Sequence, residues 1–266
     1  MGTYTVVTMD GVDLESLGYQ IRKIPGMRSR PATSTPNQAL AYRIGSILTG
    51  RRVVQPRELE IQGSVVGTSA SDLHSKIESL QYRLSGTTIT IIIQDKSTKQ
   101  LICYVQTVEV AHAEPELLTR VAAVNIKLIA LDPLWQETTN TTVNFTTSNV
   151  ACALGTAPVR PVITITAAGS INNPVITYRN SSAATVRQMS FTIAMVAGNV
   201  LTIDCDAQTI TKTISGVTTD ASDTLTGGDF IILDPKADGN WLTSSWPGLA
   251  VSVGSGQAVY KKRFWS

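Results

Sequence analysis

Between Arg57 and Gln62 the chain runs Arg-Glu-Leu-Glu-Ile-Gln, which places Leu59 and Ile61 on one side and Glu58, Glu60 and Gln62 on the other. Alternation with period two is the mark of a half-buried strand. From Ser69 the period changes. Leu73, Ile77, Leu80 and Leu84 recur at helical spacing on one stripe, behind a Ser69 cap with Asp72 three residues on and ahead of a Gly86 stop; this predicts a helix over about 69–85. A helix of that length is marginal alone. Burying its four aliphatic side chains contributes on the order of 6 to 12 kcal/mol gross, so it must lie on a sheet. Strands for that sheet follow: Thr87–Ile93, a turn at Asp95–Thr98, Leu101–Val110, and Val121–Leu131 after the Glu114-Pro115 break. In the last of these Ala122, Val124, Ile126, Leu128 and Ala130 share a face, with Asn125 and Lys127 on the other. Asp132-Pro133 ends the strand, because proline cannot donate to the ladder.

From Ile24 to Arg51 the periodicity fails among Pro25-Gly26, Pro31 and Pro36. A connection this long without structure of its own is unusual in a compact domain. It is either ordered by a partner or conceals a hairpin. Arg22, Lys23, Arg28, Arg30, Arg43, Arg51, Arg52 and Arg57 make the first sixty residues basic against Asp10, Asp13, Glu15, Glu58 and Glu60. Arginine forms bidentate pairs with carboxylates and phosphates, so the functional reading is contact with an acidic partner; the plain alternative is loop solvation.

Thr138–Asn149 is Thr/Asn-rich without charges and Gly155–Pro161 carries two prolines. The expected division is therefore a first domain over 1–137, a linker over 138–160 and a second domain over 161–266. Beyond the linker every signal is β: Val162–Thr166, Val175–Tyr178, Gln188–Met195, Val200–Asp204, Thr209–Ile214, Phe230–Leu233, Leu249–Val253 and Val259–Phe264 are short runs between Gly, Asn, Asp and Pro. In the third run Met189, Phe191, Ile193 and Met195 point one way. The expected fold class is mainly β with one helix, the second domain an antiparallel sandwich.

Composition narrows the function. A length of 266 residues suits about two domains. A formal net charge of +2 is too near neutral for a general nucleic-acid binder. Charged residues are only 16%, against roughly 25% in an average soluble domain, so the surface is Ser/Thr-rich or partly covered by neighbours. Cys103, Cys152 and Cys205 have no zinc or disulfide spacing and are expected as free thiols. The N-terminus lacks the features of a secretory leader, and no apolar run reaches the 18 to 20 or so residues of a membrane span.

No catalytic set assembles. Of the two histidines, His74 falls on the helix as a solvated residue and His112 in a turn-like stretch. Asp204-x-Asp206-x-Gln208 resembles a calcium loop, but Thr209 stands where glycine is needed and Ser215 where a bidentate Glu is needed, so it reads as a hairpin turn. Gly254-x-Gly256 lacks the third glycine and the helix of a dinucleotide site. Trp241 and Trp246, near Asp238 and Asn240, are candidates for saccharide contact, with core or rim packing as the commoner role. Metal ligands, cofactor sites and catalytic residues are expected to be none.

Two sets of residues carry a resemblance. The first is Arg57-Glu58-Leu59-Glu60-Ile61-Gln62-Gly63 leading through Ser69 to Leu73 into the helix, then Ile129-Ala130-Leu131-Asp132-Pro133-Leu134-Trp135. The second is Pro161 to Ile165, Leu201 to Asp204, Phe230 to Asn240, and the ending Tyr260 to Trp265. In this order they resemble the distal tail proteins of long-tailed, non-contractile bacteriophages, although the turn from Asp234 to Asn240 is longer than usual and the 25–51 connection has its own sequence. The resemblance implies a β-rich belt domain with one helix, closing a homo-hexameric ring below the tail tube, and a galectin-like sandwich projecting outward. It also implies that the ring joins the tube protein to the tail-associated hub protein and often anchors side fibres or receptor-binding proteins, all at the virion tail tip after assembly in the host cytoplasm. On that reading Pro25, Arg28, Arg30, Tyr42, Ile44, Arg51 and Arg52 are candidate ring or tube contacts, Asp132, Pro133 and Trp135 end the first domain, and the protein is not an enzyme. The alternatives are a carbohydrate-binding adhesin and, behind it, a cell-wall hydrolase.

Overall fold

A computed structural model of the chain describes residues 4–25, 27, 32–34, 37–39, 46–48, 53–85, 90–95, 98–112, 120–180, 184–235 and 248–265. It divides into two compact units, Met1–Trp135 with Trp265–Ser266, and Gln136–Phe264.

In the first unit the elements are β1 (Tyr4–Met9), β2 (Val12–Asp13), β3 (Tyr19–Lys23), β4 (Arg57–Val66), α1 (Ala70–Leu84), β5 (Thr90–Asp95), β6 (Lys99–His112) and β7 (Val121–Ala130). The strands form an antiparallel sheet in the order β2-β1-β5-β6-β7-β4-β3. Register turns the period-two pattern into two faces: Leu59 lies opposite Leu128 and Ile61 opposite Ile126, whereas Glu60 lies opposite Lys127 and Gln62 opposite Asn125. The first set is buried. Helix α1 packs over β4 and β6 through Leu73, Ile77, Leu80 and Leu84, all buried as their spacing predicts. Its start is reciprocally capped. Asp72 N–H donates to Ser69 Oγ at 3.1 Å, and Thr68 N–H donates to Asp72 Oδ2 at 2.7 Å, a variant of the capping box in which the Asp reaches the residue before the cap instead of the cap itself.

Strands β1 to β3 went unread in the sequence, although one signal was present. Asp10 and Gly11 take φ of 47° and 83° and form a two-residue loop between the paired Met9 and Val12, the geometry that Asp-Gly favours in a type I′ hairpin. Strand β3 forms a sheet edge that is protected by exposed Arg22 and Lys23 and by an irregularity between Ile21 and Lys23. In the 25–51 connection and just beyond it, Thr33–Ser34 pairs with Val53–Val54 and Asn37–Ala39 with Ser46–Leu48, both antiparallel. These are the rungs of a hairpin arm.

In the second unit the strands are β8 (Thr141–Phe145), β9 (Val150–Ala151), β10 (Val162–Thr166), β11 (Val175–Arg179), β12 (Thr185–Phe191), β13 (Val200–Asp204), β14 (Thr209–Ile214), β15 (Val217–Asp220), β16 (Leu225–Gly228), β17 (Gly248–Val251) and β18 (Ser255–Tyr260). They form two antiparallel sheets, β8-β18-β10-β13-β14-β15 and β9-β17-β11-β12-β16. One cluster of buried side chains is drawn from both sheets, with Phe145, Ile163, Ile165 and Ile203 from the first and Ile176, Tyr178, Met189 and Phe191 from the second. The unit is thus a sandwich.

Three expectations need correction. The stretch 138–160 supplies β8 and β9, each paired with a strand of the second unit, so it is not a bare linker; its Thr/Asn pattern hid buried Val143 and Phe145 in a two-residue alternation. Phe230–Leu233 is not a strand, since Leu233 makes only an isolated bridge to Val159. The Gln188–Met195 run divides. Residues through Phe191 stay in β12, while Ala194–Met195 pairs with Ile171–Asn172, with the Ile193 N–H donating to Asn173 Oδ1 at 3.1 Å. Met189, Phe191, Ile193 and Met195 are nevertheless all buried.

Candidate assembly surfaces

The hairpin arm is part of the first unit, beginning just after β3 and ending just before β4. From Ile24 to Pro56 it carries five arginines, Arg28, Arg30, Arg43, Arg51 and Arg52, and no acidic residue. Its rungs run upward from Gln55 N–H donating to Ala32 C=O at 2.9 Å. Of the candidate contact residues only Pro25 is among the described ones. It is half-buried and lines a groove of about 380 Å³ with Glu58, Glu60, Gln106 and Lys127. Arg28, Arg30, Tyr42, Ile44, Arg51 and Arg52 lie outside the described residues.

The floor of that groove is the polar face of the sheet. Lys127 on β7 donates to Glu109 Oε1 on β6 at 2.6 Å and stands opposite Glu60 on β4. Its bond to Glu109 holds the ammonium above its usual range, so the face carries fixed charge of both signs.

Arg57 was grouped with the basic contact residues in the sequence, and the structure corrects this: it is 5% exposed. As the period-two pattern requires, it points to the same side as Leu59 and Ile61; that spacing was the signal for its burial. Its Nη1 donates to Met27 C=O at 3.1 Å and its Nη2 to Trp265 C=O at 3.3 Å, while Nε has no partner among the described residues. Burial lowers its pKa from the ordinary value.

Asp132, Pro133 and Trp135 close the first unit. Asp132 Oδ1 accepts from Leu134 N–H at 3.3 Å, Pro133 is buried and Trp135 is 3% exposed. Trp241 and Trp246 lie outside the described residues.

His74 is an exposed partner of Glu78, one turn along α1 at 3.1 Å, and the side chain of His112 lies outside the described residues. Asp204 Oδ1 accepts from the N–H groups of Asp206 and Ala207 at 2.9 Å each, the turn that joins β13 to β14. Among the described residues no cluster of His, Cys, Asp or Glu could hold a metal ion. Burial pushes each of the Cys103, Cys152 and Cys205 thiols up to about 12, so they stay protonated and unreactive. No described helix is long and apolar enough to cross a membrane.

No protein-family model matches the sequence, and no curated protein does. The fold, by contrast, has clear counterparts. A crystal structure of the SPP1 Dit (gp 19.1) protein, described as a paradigm of the hub adsorption apparatus in phages infecting Gram-positive bacteria, superposes with a TM-score of 0.77 at 18% identity, covering 97% of this chain and 98% of that one. Chains of the phage P2 baseplate in its activated conformation, with Ca and with Sr, superpose at 0.51 and 0.50 with 9% identity, covering 98% of each chain. The architecture is that of phage baseplate and hub proteins. More particularly, over nearly its whole length it is the fold of the Dit hub protein.

Proposed function

We propose that the protein is a distal tail protein of a long, non-contractile-tailed bacteriophage. In this reading six copies close a ring at the tail tip through their first units. The ring joins the tail tube above to the hub protein below and anchors fibre or receptor-binding components, after assembly in the host cytoplasm. Its work is contact, with no bond made or broken. The observation that carries the reading is the agreement of both units, in one chain order, with the SPP1 Dit protein across 97% of the sequence. The arm residues Arg28, Arg30, Tyr42, Ile44, Arg51 and Arg52, with Pro25 at its base, are proposed as contacts to the neighbouring copy or the tube. Asp132, Pro133 and Trp135 are proposed to fix the exit from the first domain. The test is the mass of the purified chain by light scattering, with negative-stain imaging. Six-fold rings, and antibody against the protein decorating tail tips, are expected; a monomer at tens of micromolar that leaves tail tips bare overturns the reading.

One observation favours a second reading, a carbohydrate-binding unit. A groove of about 260 Å³ on the six-stranded sheet is lined by neutral hydrogen-bonding side chains, among them Asn144, Thr164, Thr166, Ser255 and Gln257. Gln257 Nε2 donates to Asn144 Oδ1 at 3.0 Å and so orders the pair. Binding of neutral saccharides lost in Gln257→Ala supports this reading; silence across a glycan array removes it.

A further inference from the structure

Arg57 is a buried cation whose described partners are both main-chain carbonyls. A guanidinium buried without a carboxylate is costly, and replacing a buried charged group by an apolar one of similar size is often neutral or stabilising. The sheet therefore gains little from this charge. What the charge does gain is position. Met27 is the last described residue before the paired part of the arm, Arg57 is the first residue of β4 beyond it, and Trp265 belongs to the segment that returns to this unit from the end of the second. The contact from Arg57 to Met27 is the lowest rung of a ladder that continues through Ala32 and Gln55, then Thr33–Ser34 against Val53–Val54, then Asn37–Ala39 against Ser46–Leu48.

We infer that Arg57 is a latch: one guanidinium fixes the base of the arm and the returning chain end to the first strand of the sheet, so that the two are held or released together. The fork explains the choice of residue. Two nitrogens of a rigid plane reach two carbonyls at once, which the single ammonium of lysine does not do in a fixed geometry. That the latch serves ring closure rests on the function proposed above; the latch itself does not.

The experiment is amide hydrogen exchange on the full chain, comparing the wild type with Arg57→Met, Arg57→Lys and a chain ending at Phe264. Losing the fork should speed exchange about tenfold at Gln55 and at the 33–34/53–54 rungs, the effect of roughly one lost hydrogen bond to a charged group. Leu59, Ile61 and Ile126 in the sheet should keep their protection. Arg57→Lys, which retains the charge, should lose arm protection nearly as fully, and ending the chain at Phe264 should reproduce part of the loss. Combined with Arg57→Met, that truncation should add little, because both act on one contact. Protection falling evenly across the sheet in Arg57→Met and Arg57→Lys alike would make Arg57 an ordinary packing residue and overturn the inference, as would full additivity with the truncation. If Arg57→Met does not fold, Arg57→Lys decides by the same criteria. Unchanged oligomerisation alongside a released arm leaves the latch standing and counts against the arm as the ring contact.

Discussion

At the residue scale, the centre of the first unit depends on a tyrosine and a glycine that need each other. Tyr19 is fully buried, and its hydroxyl lies 3.0 Å from Ile61 C=O and 2.9 Å from Val124 C=O. With one proton to donate, it shares that proton between two carbonyls on neighbouring strands, tying β4 to β7. The ring reaches this position only because Gly63 has no side chain: a Cβ there would stand 2.7 Å from Tyr19 Cζ and 2.5 Å from Gln20 O. Gly63→Ala should therefore destabilise the protein by about 1 to 3 kcal/mol through overpacking against backbone that cannot retreat. Tyr19→Phe keeps the shape and loses the donor, at a cost of about 1 to 3 kcal/mol for the buried carbonyls left without it. Urea denaturation measures both, and a midpoint unchanged in Gly63→Ala would contradict the close packing. Tyr19 did not stand out in the sequence and Gly63 did so only as the close of a motif, because a Tyr before a polar-looking run and a Gly inside a strand are informative only once the fold brings the tyrosine ring over the glycine.

At the scale of elements, α1 provides a pH-dependent term. Asp72 is held at about 2, below its ordinary 3.8, first by the Thr68 N–H and then by Lys76 and the Thr68 hydroxyl. A depressed carboxyl stabilises the fold above its unfolded pKa, and that stabilisation is lost as the pH falls from about 4 through 2. Asp72→Asn should thus weaken the protein near neutrality and flatten its acid limb in that window; urea midpoints at several pH values give the curve, and parallel curves for the two proteins would sink the assignment. This helix, with β4 and β7, was legible in the sequence because each buries one face and presents a clean period. The arm was not. Its strands are only two or three residues long, too short to show a period, and each rung pairs a polar stretch with an apolar one, Thr33–Ser34 with Val53–Val54 and Asn37–Gln38 with Ile47–Leu48, and the pattern of β15, Val-Thr-Thr-Asp, is exposed throughout. Its turn was still encoded, since Ser215 and Gly216 take φ of 50° and 83° between the paired Ile214 and Val217. The arginines among the candidate contact residues were legible only as charge, which shows that a stretch of chain is basic and says nothing about where it points.

At the scale of the whole molecule, charge separation along the chain makes a specific demand on the proposed ring. The five arginines between Ile24 and Pro56 exceed the formal net charge of +2 for the entire chain, so the remainder is net acidic. A ring is a head-to-tail assembly in which one patch of each copy meets a different patch of the next, and a chain that segregates its charge in this way can supply both sides of such a contact. If arm arginines meet carboxylates of the neighbouring copy, the contact is electrostatic at its rim and is screened by salt, with a Debye length of about 10 Å at 0.1 M falling to about 3 Å at 1 M. Ring assembly followed by light scattering should then weaken as salt rises. Arg51→Glu with Arg52→Glu should abolish it while leaving the unfolding free energy of the chain within about 0.5 kcal/mol of wild type, the range for substitutions that disturb no packing. A ring equally stable at low and high salt would instead mean that apolar contact closes it. The arm would then contribute through Tyr42 and Ile44, and Tyr42→Ala with Ile44→Ala would be the variant that leaves the chain monomeric.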